Sequence, residues 1–154
     1  VNARQRIRLL PATLDEQLPP SRIMVHMRVV LSYTSSDSAI ASKVRQALTQ
    51  AGFEVWDPEL QARGGDNFAL EIGRALNKAQ ALVLLVSPEA MNSDWIRWEI
   101  EYALGDPRFE GRLIPVELRP TPDLPWILRR FQVLKYEGRT RPIVDALNRI
   151  RDAA

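Results

Sequence analysis

Six consecutive apolar residues, Ala81-Leu82-Val83-Leu84-Leu85-Val86, end at Ser87-Pro88. An uninterrupted apolar run of this length reads as a strand buried on both faces, as in a parallel sheet covered by helices. Past Glu89 to Asn92, the pair Ser93-Asp94 offers a helix start for the segment ending near Leu104. At roughly 100° per residue, Ile96, Ile100, Ala103 and Leu104 gather in one arc facing the sheet. Trp95, Trp98 and Tyr102 fill the adjoining arc, and Arg97 and Glu101 point to solvent. Glu99 falls between the aromatic and aliphatic arcs, a carboxylate set into an apolar surface.

The same alternation of strand and helix recurs on either side. Arg28-Val29-Val30-Leu31-Ser32-Tyr33 reads as a first strand, and Thr34 to Asp37 as a polar turn supplying N-cap residues. Ile40, Val44, Ala47, Leu48 and Ala51 then recur at helical spacing, Gly52 ends that helix, and Phe53 to Trp56 is a short second strand. Asp57 to Asn67 is a long polar loop of the kind that is usually functional or mobile. Asp66 or Asn67 caps a helix whose inward residues are Leu70, Ile72, Ala75, Leu76 and Ala79. After Gly105-Asp106-Pro107, Arg112 to Leu118 is a fourth strand. Its Pro115 removes a ladder donor and calls for a bulge or a gap in pairing. Trp126 to Arg130 reads as a helical turn, Gln132 to Tyr136 as a fifth strand, and Thr140 as the cap of a last helix carrying Ile143, Leu147 and Ile150.

Five strands alternating with helices predict an α/β fold of flavodoxin-like type. It is a three-layer sandwich in which a five-stranded parallel sheet, order 2-1-3-4-5, carries helices on both faces. The switch point lies between the first and third strands. A crevice should open there, where Ser32, Tyr33 and Thr34 meet Ser87, Pro88 and the start of the Glu99 helix.

Composition narrows what such a crevice can do. At 154 residues and 45% hydrophobic content, the chain suits one domain with a sizeable core plus a short arm. The arm is residues 1–27, with Pro11, Pro19 and Pro20 and no sustained period, and the domain is 28–154. A net charge of +2 with scattered basic residues does not announce a nucleic-acid face. No apolar run approaches the roughly 18 residues that span a membrane. No signal peptide is evident, so a cytoplasmic protein is the default. The chain has no cysteine and one histidine, His26, which excludes thiol nucleophiles, disulfides and Cys/His zinc sites and leaves no Gly-x-Ser-x-Gly elbow for a serine relay. Gly64-Gly65 has no Lys-Ser/Thr behind it, so it is not a P-loop. Carboxylates, hydroxyls and aromatic surfaces remain. For Glu99, two readings stay open: a helix-surface carboxylate that reaches water or a loop amide, or one kept for chemistry. The one cation on its own helix, Arg97, lies about 160° round the wheel, out of reach.

Several stretches together resemble the Toll/interleukin-1 receptor (TIR) domains, from about Met27 to Ala153. Val30-Leu31-Ser32-Tyr33-Thr34-Ser35-Ser36-Asp37 is similar to the first-strand signature. Gly52-Phe53-Glu54-Val55-Trp56 leads into a segment resembling the family's BB loop, with Gly65-Asp66-Asn67-Phe68 at its exit. Leu85-Val86-Ser87-Pro88 and Ser93-Asp94-Trp95-Ile96-Arg97-Trp98-Glu99 resemble the third-strand and Ser-x-Trp-x-x-x-Glu boxes. Ile96 replaces a frequent Cys, and Thr34 stands where some enzymatic members carry Arg.

The resemblance implies NAD+ as substrate, with no cofactor and no metal, and cleavage of the ribose–nicotinamide bond. Glu99 falls on the essential glutamate. In this reading Trp95 walls the pocket, Phe68 stacks on a substrate ring, Ser32 or Tyr33 bonds to ribose or phosphate, and Thr34 joins them on the substrate-binding side of the crevice. For Trp95 and Phe68, ordinary packing is the competing reading. The products would be nicotinamide with ADP-ribose or a cyclic ADP-ribose, and the setting immune or antiphage defence signalling. Partners would be other TIR domains, assembling on activation, with neither nucleic acid nor membrane. The other function the resemblance implies is a non-catalytic module acting through TIR–TIR contacts. A response-regulator receiver is excluded by Ser87 and Ser32-Tyr33, which stand where its aspartates belong.

Overall fold

Strand β1 (Arg28–Ser32) lies between β2 (Glu54–Trp56) and β3 (Ala81–Val86), and β4 (Leu113–Glu117) and β5 (Leu134–Lys135) follow on the far side of β3. The order is β2-β1-β3-β4-β5 and every neighbouring pair is parallel. This computed structural model describes residues 26–58 and 68–153, apart from the Phe68 side chain. The expectations for the arm before His26 and for the loop from 59 to 67, including its caps Asp66 and Asn67, lie outside the described residues.

Alternation along each strand divides the core into two layers. Val29, Leu31, Ala81, Val83, Leu85, Ile114 and Val116 pack against α1 (Ser38–Gln50) and the last helix, α5 (Arg141–Ala153). Val30, Leu82, Leu84, Val86 and Leu113 face the other way, toward α2 (Phe68–Lys78), the short α3 (Pro88–Met91) and α4 (Asp94–Gly105). All six residues of β3 are buried, because this strand is central and covered on both faces. Each of its Leu and Val side chains contributes about 1.5–3 kcal/mol. Gly52, at φ +91°, turns the chain from α1 into β2, a conformation a Cβ would strain.

Four expectations need correction. Pro115 causes no bulge: the β3–β4 register runs unbroken through Leu84↔Pro115. The Leu118 amide donates to the Val86 carbonyl, so by alternation residues 114, 116 and 118 address β3 and Pro115 turns toward β5. Pairing with β5 begins only at Val116↔Leu134, so the missing donor costs no ladder bond. The fifth strand shrinks to Leu134–Lys135, at the edge of the sheet. Leu70 and Leu104, assigned inward, are 54% and 39% exposed. They occupy the first and last turns of their helices, and a wheel gives angle but not axial extent.

Candidate active site

Glu99 is buried, 2% exposed, midway along α4. The helix is started by Ser93, whose Oγ accepts from the Ile96 amide. Ile96, Ile100 and Ala103 lie against the sheet, which turns the Glu99 side chain toward the C-terminal end of β1. There the Ser32 hydroxyl donates to Glu99 Oε2. Helix geometry excluded Arg97 as the partner of this carboxylate, and the partner comes instead from the neighbouring strand, 67 residues away in sequence. Ser32 is the last residue of β1 and shares the face of Val30, opposite α4. Arg97 does not compete, since its Nε donates to the Met91 carbonyl at 3.1 Å.

A crevice of about 210 Å³ opens over this pair, bounded by Thr34, Ser35, Pro58, Ile72, Trp95 and Ile96 as well as Ser32 and Glu99. Trp95 is 42% exposed at the lip, edge-on to Trp98 with ring centroids 6.4 Å apart. Thr34 sits in the wall with its hydroxyl donating to Asp37 Oδ2 at 3.2 Å. Tyr33 reaches the crevice rim, but its ring belongs to the opposite layer and its hydroxyl lies 2.9 Å from both oxygens of buried Asp57. Arg45 Nη1 pairs with Asp57 at 2.9 Å from α1. Tyr33 therefore lines the crevice while its hydroxyl is engaged by Asp57 on the other side of the sheet. Ser87 and Pro88 are not in the crevice wall. Ser87 is fully buried and spends its hydroxyl elsewhere, and Pro88 is exposed as the first residue of α3. Phe68 opens α2, and its side chain lies outside the described residues.

Sequence reasoning missed Asp37 and Asp57 as buried carboxylates. Asp37, one of the N-cap choices in the turn 34–37, does occupy the N-cap position of α1, but its side chain makes no cap bond. Oδ2 accepts from Ser87 Oγ at 2.5 Å, and Oδ1 meets Arg119 Nη2 at 3.0 Å as an ion pair without an aligned hydrogen bond. Arg119 also pairs with Glu89 at 2.5 Å. Glu89 is held below its ordinary 4.5 by a backbone amide bond first and then by Arg119. The one signal available was the density of hydroxyls and carboxylates in Ser32 to Asp37.

His26 is not part of the site; its Nδ1 lies 2.8 Å from the Gly52 carbonyl, at the N-terminal end of the sheet. Among the described residues no group of His, Cys, Asp and Glu is arranged to hold a metal, and no helix is long and apolar enough to cross a membrane. A larger concavity, about 680 Å³, lies beside β4, β5 and α5. Its lining mixes apolar residues with arginines and holds no buried carboxylate, which only the smaller crevice has among these two.

Comparison with known proteins agrees with the fold. A 2' cyclic ADP-D-ribose synthase from Bacteroides thetaiotaomicron, BtTIR, is 30% identical over 71 residues, 46% of this chain, which spans 25% of that protein's length. The TIR domain of the Toll-related receptor TRR-2 from Hydra magnipapillata superposes with TM-score 0.67 at 20% identity, covering 80% of this chain and 97% of that one. A metazoan TIR-STING receptor from C. gigas, in complex with 2',3'-cGAMP, gives 0.67 at 22% identity, covering 82% of this chain and 39% of its own. These two structures show the fold. A TIR-domain family model matches residues 29–150, and the chain belongs to the TIR-domain family.

Proposed function

We propose that this domain is an NAD+ glycohydrolase of TIR type, cleaving the bond between ribose and nicotinamide with Glu99 as its catalytic group. The observation that carries the reading is the buried Glu99 carboxylate, bonded to Ser32 at the switch-point crevice. Nicotinamide leaves a pyridinium as a neutral ring, so its departure needs no general acid and the absence of a histidine here is no handicap. What the reaction needs is stabilisation of the oxocarbenium-like ribose. A carboxylate supplies it through charge, through bonds to ribose hydroxyls, or by forming a transient ester at the anomeric carbon, as in glycoside cleavage. Ser32 orients the carboxylate, Thr34 offers a hydroxyl in the wall, and Trp95 and Phe68 are the aromatic candidates for the nicotinamide and adenine rings. Attack by water yields ADP-ribose; attack from within the ADP-ribose moiety yields a cyclic product. The similarity to a 2' cyclic ADP-D-ribose synthase supports the cyclic outcome.

A crevice of about 210 Å³ is smaller than the roughly 300–1,000 Å³ usual for a drug-sized ligand. It therefore suits the nicotinamide riboside end of the substrate, and further walls must come from outside the described residues. A second TIR domain is the partner this reading calls for. The test is incubation of the purified chain with NAD+ at increasing protein concentration and chromatographic separation of products. Nicotinamide release that Glu99→Gln stops supports the reading; no release at any concentration, with the fold intact, leaves the non-catalytic assembly module.

A further inference from the structure

Behind the crevice, Asp37 is 2% exposed and gathers side chains from three strand ends. Thr34 and Asp37 itself follow β1, Ser87 follows β3, and Arg119 follows β4. Ser87 is fully occupied, donating to Asp37 while accepting from the Ala90 amide at 3.1 Å. Arg119 is anchored in turn by Glu89. Of this group only Thr34 borders the crevice, so the others touch no ligand there. Their common effect is on one short piece of chain. The Asp37 amide closes on the Thr34 carbonyl at 2.9 Å, folding 34–37 into a tight turn immediately after Ser32. On the opposite face the Tyr33 hydroxyl is pinned to Asp57. Ser32, which holds Glu99, is thus fixed by what grips the two residues after it.

We propose that Asp37, held by Ser87 and Arg119, is a positioning residue for the candidate site: its carboxylate sets the turn that places Ser32 on Glu99 and Thr34 in the crevice wall. The inference rests on the glycohydrolase reading for its kinetic consequence but not for its structural one. Asp37 is buried but the Arg119 side chain is 42% exposed, so the pair adds little net stability and its effect is on the geometry of the turn. Displacement of a catalytic group by about 1 Å can cost a hundredfold in rate.

The test uses Arg119→Ala, Arg119→Lys, Asp37→Asn and Ser87→Ala in the full chain. Nicotinamide release is followed at high protein concentration beside thermal melting and amide hydrogen exchange. Arg119→Ala and Asp37→Asn are expected to lower kcat about ten- to hundredfold. KM should stay within about threefold, and Arg119→Lys should recover most of the rate because the cation returns. Exchange at the Asp37 amide should rise at least about tenfold in Arg119→Ala while Val30 and Leu31 keep their protection. Full kcat in a folded Asp37→Asn overturns the proposal, as does a loss that tracks the folded fraction alone. Should Asp37→Asn fail to fold, Arg119→Ala and Ser87→Ala decide by the same criteria. A wild-type chain that releases no nicotinamide removes the reading of Glu99, and the exchange result then decides the positioning role by itself: unchanged exchange overturns it.

Discussion

Replacing Glu99 by Gln separates a carboxylate kept for chemistry from one kept for architecture. The amide is nearly isosteric, and its oxygen still accepts the Ser32 hydroxyl bond made by Glu99 Oε2. The buried site loses a charge but no volume, so no cavity term enters. A hydrogen bond to a charged group contributes about 1.5–3 kcal/mol and one to a neutral group about 0.5–1.5. The expected stability change is their difference, about 1–2 kcal/mol at most and offset by the relief of burying a neutral group. For a domain of this size that is at most about 8 °C in melting temperature. Activity should respond on a different scale. Loss of one preorganised electrostatic partner costs about 10²–10³ in kcat, or some 2.7–4 kcal/mol of transition-state stabilisation. The assay is nicotinamide release at saturating NAD+ on matched protein concentrations, beside calorimetric melting of both proteins. Activity within tenfold of wild type in a normally melting Glu99→Gln protein refutes the catalytic assignment. A fall in melting temperature well beyond about 8 °C refutes the argument that the carboxylate is not structural.

Three further outcomes are expected. Tyr33→Phe deletes the bonds to Asp57 and should cost about 1–3 kcal/mol of stability with the KM for NAD+ unchanged; a large KM increase at normal stability would return Tyr33 to the substrate. Glu89 titrates lower folded than its ordinary 4.5, because of the backbone amide and then Arg119. Its contribution is therefore complete above the unfolded value and disappears as pH falls through the folded one. Melting of the wild type between about pH 5 and 3 should accordingly drop more steeply than that of Glu89→Gln, and parallel slopes would count against the pair. Activity should rise more steeply than linearly with protein concentration, so that specific activity climbs, since a crevice of about 210 Å³ excludes water poorly without a second copy. Constant specific activity in a species that light scattering shows to be monomeric would dismiss the assembly requirement.

What the sequence determined is whatever depends on neighbours a few residues apart. The apolar run 81–86 specified a strand covered on both faces, and β3 is buried throughout. Helical periodicity placed Glu99 inside an apolar surface, where it lies, because the angle between residues on one helix is a local property. The order of five strands followed from their alternation with helices and the handedness of crossovers, and the sheet has that order. Partners from distant segments had no such signal. Ser32 and Glu99 are 67 residues apart, and Ser87 and Asp37 are 50, so neither bond is written in any local pattern. Asp37 looked like a helix cap because that is what an aspartate before a helix does alone. In the folded chain a buried hydroxyl and a guanidinium claim the carboxylate instead. Tyr33 is the intermediate case: strand alternation already assigns it to the face opposite Ser32, but only the close approach of Asp57 and Arg45 decided what its hydroxyl does there. Pairwise contacts across the sheet are set when layers pack, and the layers pack only in three dimensions.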